Sequence, residues 1–122
     1  MKFFLKKYFL LLYVILIFGI SSFPGDGLIG TINQFGIDKI FHFVEYLVLG
    51  VLFFVFMKNK KKLFNIFYIL VVFIPVIDEY CIQHISGRIV DDWDFWANFT
   101  GLYSGILMSF LLGKYFDKKT YN

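Results

Sequence analysis

Four apolar stretches, residues 8–23, 40–57, 63–85 and 95–116, constrain this chain more than any other feature. A helix rises about 1.5 Å per residue and needs about 20 residues to cross about 30 Å of hydrocarbon. The second and third stretches reach that length only when their polar outer ends are counted inside the helix. At 59% hydrophobic residues and a mean hydropathy of +0.72, the 122-residue chain is too apolar for an ordinary soluble domain and too short for two. The expected fold is all-α: a single domain over residues 1–122, a polytopic membrane four-helix bundle in contact with the lipid bilayer. Its one cysteine, Cys81, excludes an intrachain disulfide.

Charge sets the expected orientation. Between the stretches lie Pro24–Gly25–Asp26–Gly27, the basic connection Lys58–Asn59–Lys60–Lys61–Lys62, and Ser86–Gly87–Arg88 with an acidic run after it. Ten lysines (2, 6, 7, 58, 60, 61, 62, 114, 118 and 119) fall on one side, and only Lys39 and Arg88 on the other. By the positive-inside rule both termini are cytoplasmic. Lys6–Lys7, a short apolar run and Ser21–Ser22 also fit a signal peptide, but Phe23–Pro24 is a poor small-residue cleavage site, so the first helix is expected to be retained.

Eight of the nine carboxylates, all but Asp117, lie on the side away from the lysines. Counted from the basic ends, Glu45 stands roughly 18 Å up, His42 roughly 22 Å, Glu79 roughly 24 Å and Asn98 roughly 23 Å. Three helices therefore deliver polar groups to one layer. Asp38, His42 and Glu45, at i, i+4 and i+7, share a helical stripe, and Glu79 and Gln83 lie one turn apart. Asp91, Asp94, Asn98, Gly101 and Gly105 repeat every three to four residues, a seam with polar groups above and glycines below that lets this helix sit against another backbone. Ser109 continues the glycine spacing, and Pro75 is expected to bend the third helix before Asp78–Glu79. Trp93, Trp96, Tyr80 and Tyr103 fit an interfacial aromatic belt.

A single polar group near a helix end reads as snorkelling or as a loop ion pair, such as Arg88 with Asp91 or Asp94; three helices converging at one depth read as a site, because ionisable groups are costly in hydrocarbon. His42, Glu45, Asp78, Glu79, Asp91 and Asp94 are oxygen-rich ligands of the kind Mg²⁺, Mn²⁺ or Ca²⁺ prefer, but no fixed-spacing metal motif is present and no metal site is expected. Cys81 with His84 has the residue types of a nucleophile and base, yet a lone cysteine near the interface reads better as a small apolar filler. His42 and Glu79 are the candidates for acid–base work, with no nucleophile to complete a reaction. No cofactor can be named and no nucleic-acid partner is expected. A binding pocket remains, with Arg88, Lys39 and His42 as donors, the carboxylates as acceptors, and Gln83 and Asn98 as orienting amides.

Asp38–Lys39–x2–His42–x3–Tyr46, Glu79–x3–Gln83 and Gly87–Arg88–x5–Asp94–x3–Asn98–x2–Gly101–x3–Gly105 resemble the signature of VanZ-like membrane proteins. The resemblance spans about Asp38 to Gly105 and implies a small, roughly four-helix protein of the bacterial cytoplasmic membrane. The founding member of that family is linked to low-level resistance to teicoplanin, a lipoglycopeptide that binds cell-wall precursors. Carried over residue by residue, the pattern falls on Asp38, Lys39, His42, Tyr46, Glu79, Gln83, Arg88, Asp94, Asn98, Gly101 and Gly105, with Glu45, Asp78 and Asp91 adding to the layer. The expectation is a pocket for a lipid or lipid-linked envelope head group, organised by Arg88 with Asp94 and lined by His42, Glu79, Gln83 and Asn98. The competing readings are a membrane-embedded enzyme modifying such a lipid and a partner subunit whose polar layer is an internal lock.

Overall fold

The computed structural model describes residues 3–23 and 36–120; the turn expected at Pro24–Gly27 lies outside the described residues, as do Lys2 and Asp26. Every regular element among the described residues is helical. The helices are α1 (Phe3–Ser21), α2 (Ile37–Met57), α3 (Lys61–Ile77, continuing as a π-helical segment, Asp78–Gln83) and α4 (Asp92–Thr120). Ile37–Met57, Lys61–Gln83 and Asp92–Phe116 are long and apolar enough to cross a membrane, and Tyr8–Ser21 is a shorter apolar helix. Helices suit such a chain because each satisfies its own backbone hydrogen bonds where no water is available.

The polar ends that the length argument needed are indeed helical. Asp38 lies in the first turn of α2, and Asp92 and Asp94 in the first turn of α4, where the positive end of the helix dipole favours carboxylates. Ile17, Tyr46, Leu49, Phe53, Met57, Val71 and Leu102 form the buried core. Leu12, Ile15, Ile69, Phe73 and Leu111 stand exposed around it, more apolar surface than water tolerates and well matched to lipid.

The closest helix pair is α2 with α4. A Cβ built on Gly101 would overlap the carbonyl oxygen of Phe43, one on Gly105 that of Leu47, and one on Gly50 that of Leu102. Glycines on both helices thus let two backbones touch, as small residues do at membrane helix interfaces. Gly50, the α2 partner of this contact, was not among the packing glycines that the α4 seam pointed to.

Two local devices shape the C-terminal end of α3. Pro75 lies inside the helix and can donate no backbone hydrogen bond, and three residues later the winding widens to i→i+5. The wider turn rotates each residue less than an α-helix does, so Asp78, Glu79 and Gln83 all face inward, each 0% exposed. The helix then closes on Gly87, whose φ of 77° is the left-handed conformation that glycine adopts without a Cβ clash. Gly87 N–H donates to the His84 carbonyl at 3.2 Å and Arg88 N–H to the Gln83 carbonyl at 3.0 Å, the two bonds of a Schellman cap. That cap sets where Arg88 leaves the helix.

Gly105→Leu should separate α2 from α4 and cost at least about 1–3 kcal/mol, the usual penalty of overpacking, whereas Gly113→Ala meets nothing within 4 Å and should be neutral or slightly stabilising. Melting temperatures of the two purified variants in detergent, compared with the parent, check this.

Candidate functional site: a buried polar layer

Lys39 is the hub of the layer. Its ammonium donates to Asp38 Oδ2 at 3.0 Å, Asp91 Oδ2 at 2.8 Å and Asp94 Oδ1 at 2.7 Å. A lysine has three N–H donors, and here each has a carboxylate oxygen, so Lys39 is saturated. The expected pairing of Arg88 with Asp94 is not what the structure contains: the cations near Asp94 are Lys39 and, at 3.7 Å, His42 Nε2 if protonated. Lys39 wins because it sits in the first turn of α2, which the glycine contact presses against the first turn of α4.

Asp91 ties three elements together. Its Oδ1 accepts the Trp93 N–H at 2.9 Å and caps α4, its Oδ2 holds Lys39, and its own N–H donates to Glu79 Oε1 at 2.8 Å. The Lys39 ammonium beside it holds the Asp91 carboxyl below the usual carboxylate range, with the cap bond adding to the effect. A depressed folded pKa means that this interaction is complete above the ordinary carboxylate pKa of about 3.9 and is lost only as pH falls through the lower, folded value.

Glu79 is fully engaged. Besides the Asp91 N–H on Oε1, its Oε2 accepts the Gln83 amide at 2.6 Å. Its burial and two donors suit it to holding the loop before α4. Tyr46 donates to Asp78 Oδ2 at 2.8 Å, an internal link between α2 and α3. The stripe read from α2 turns slightly: Asp38 and His42 are buried, and Tyr46 continues them inward, while Glu45 is half-buried. Cys81 and His84 are both exposed and outside this layer. Trp93, Trp96, Tyr80 and Tyr103 stand exposed, and Tyr80 donates to Asp92 at 2.6 Å.

Several buried polar atoms of the layer have no hydrogen-bond partner among the described residues: Asp38 Oδ1, His42 Nδ1, Asp78 Oδ1, Gln83 Oε1 and both amide atoms of Asn98. Each such atom costs about 1–3 kcal/mol when nothing meets it. Beside the layer, a cavity of about 450 Å³ opens between α1 and α2, and Ser21, Asp38, His42, Glu45 and Arg88 are its polar lining. Tyr13, also in its wall, donates to the Glu45 carbonyl at 2.9 Å and joins α1 to α2. A larger cleft of about 900 Å³ lies elsewhere, among Phe54, Phe64, Tyr68 and Phe110, away from the carboxylates. Among the described residues no three His, Cys, Asp or Glu side chains are arranged to hold a metal ion.

The structure therefore brings Asp38, Lys39, His42, Asp91 and Asp94 into one cluster, links Glu79 and Gln83 to it through Asp91, and leaves Arg88 facing the cavity. No family model, curated protein or solved structure matches the chain.

Lys39→Met should leave three carboxylates without their shared donor and destabilise the protein by about 2 kcal/mol, less than the full cost of breaking a buried pair because about a third of the Lys39 side chain is exposed. Adding Asp91→Asn to that variant should recover part of the loss, measured as a partial return of melting temperature in detergent.

Proposed function

We propose that this chain is a VanZ-like envelope protein, a four-helix bundle of the bacterial cytoplasmic membrane with both termini cytoplasmic. Its outer-leaflet pocket binds the head group of a lipid or lipid-linked envelope component, or limits the access of a lipoglycopeptide to it. The observation that carries this reading is the pairing of unpartnered buried polar atoms with an adjoining cavity, in the layer where the signature positions Asp38, Lys39, His42, Tyr46, Glu79, Gln83, Asp94 and Asn98 lie. A layer serving only as a lock gains most by satisfying every polar group internally; this one leaves acceptors over. A membrane-embedded enzyme using His42 and Glu79 has less support, because both Glu79 oxygens already hold donors.

The cavity has α1 as one wall, through Tyr13, Leu16, Ile20 and Ser21. On this reading the first helix stays in the working protein.

The test compares Arg88→Lys with Asp94→Asn in the producing bacterium, scoring membrane abundance, teicoplanin susceptibility and envelope lipid composition. Arg88→Lys should keep abundance and lose the phenotype, since Arg88 has no salt bridge among the described residues. Asp94→Asn should lower abundance as well, since it removes a partner of Lys39. Loss of abundance in both variants would favour the internal lock, and an altered lipid or sugar species in the parent strain relative to a deletion would favour the enzyme.

A further inference from the structure

The cavity beside the polar layer changes character from its rim to its floor. Its apolar wall is exposed on two helices, with Leu16 (54% exposed) and Ile20 on α1 and Phe41 (63%) and Val44 on α2. Its floor is polar and buried: Ser21, Asp38 and His42 are each at most 9% exposed. An amphiphile entering sideways between α1 and α2 would meet apolar surface with its chains and polar surface with its head.

In the polar layer behind that floor, acidic side chains outnumber basic ones. Asp38, Glu45, Asp78, Glu79, Asp91 and Asp94 share the layer with two permanent cations, Lys39 and Arg88. Lys39 has no donor left. Arg88 and the Glu45 carboxylate both line the cavity, and neither has an ion-pair partner within 4.0 Å among the described residues. Asp38 Oδ1 and His42 Nδ1 lie sealed behind the cavity wall, with no hydrogen-bond partner among the described residues. The cavity thus offers one fork-shaped cationic donor suited to a phosphate, and Glu45 as an acidic acceptor beside it.

We propose that this cavity holds the head group of an amine-bearing phospholipid. The phosphate lies against Arg88, the protonated amine donates to Glu45, and the acyl chains leave between α1 and α2. This deepens the head-group reading and rests on it. A purely anionic head would bring no cation to Glu45, and a quaternary ammonium would bring positive charge but no N–H for it. The cavity volume of about 450 Å³ has room for a phosphate with a short aminated group.

The test uses the full-length protein in nanodiscs exchanged against vesicles containing equal parts of phosphatidylethanolamine, phosphatidylcholine and phosphatidylglycerol, with retained lipid identified by native mass spectrometry. Phosphatidylethanolamine should be retained roughly tenfold over the other two, the scale of one charge-assisted hydrogen bond. Glu45→Gln should shrink that preference while retaining lipid, and Arg88→Gln should weaken retention of all three; melting temperatures identify any variant that has lost its fold. Equal retention of all three that still depends on Arg88 would overturn the amine assignment and leave head-group binding standing. A preference that survives Glu45→Gln in folded protein would overturn the assignment too. Retention of no lipid by folded parent protein would overturn both.

Discussion

A single ammonium ties together the starts of two helices in this protein. Lys39 gives its three N–H groups to Asp38, Asp91 and Asp94, and so joins the start of α2 to the cap and first turn of α4. The arrangement works because Gly50, Gly101 and Gly105 let α2 and α4 meet backbone to backbone below it. Without that approach the carboxylates of α4 would stand a side chain's width too far away. The Asp91 N–H then reaches Glu79, which carries the order from Lys39 into the π-helical end of α3.

Saturating Lys39 has a consequence for the rest of the layer. A polar cluster buried beside lipid is favourable only when donors and acceptors match, because low dielectric magnifies both the bonds made and those missed. Here one lysine neutralises one corner, and the mismatch moves to the α1–α2 side, where Arg88 and Glu45 line a cavity. The Schellman cap at Gly87 brings the chain to Arg88 just there. What one part of the layer satisfies internally, another presents outward.

Much of this was legible in particular residues. The spacing of Asp94, Asn98, Gly101 and Gly105 described one seam, and these residues are buried along one face of α4. Gly50 was overlooked because it stands alone in an apolar run, although Tyr46, Leu49, Phe53 and Met57 around it recur at the three- and four-residue steps of a buried face. Asp91 looked like one more member of an acidic run, yet it is the cap of α4 and the link to Glu79. An aspartate directly before an apolar helix was the available signal. The π-helical widening had only Pro75 to announce it, and a proline does not by itself say how the following turn will wind.

By itself the sequence determined helices, because apolar stretches of that length must satisfy their backbone hydrogen bonds internally once they lie in lipid. It also determined that the polar groups share a depth, since rise per residue is constant and the lysine connections give each helix a zero. Which cation meets which carboxylate was decided only by the tertiary structure. Arg88 and Lys39 lie on the same side and carry the same charge, so spacing cannot rank them; the glycine contact between α2 and α4 brings Lys39 to Asp94, and the cap at Gly87 turns Arg88 toward the cavity. Partner choice depends on distances of a few ångströms between helices, and those are set by packing rather than by order along the chain.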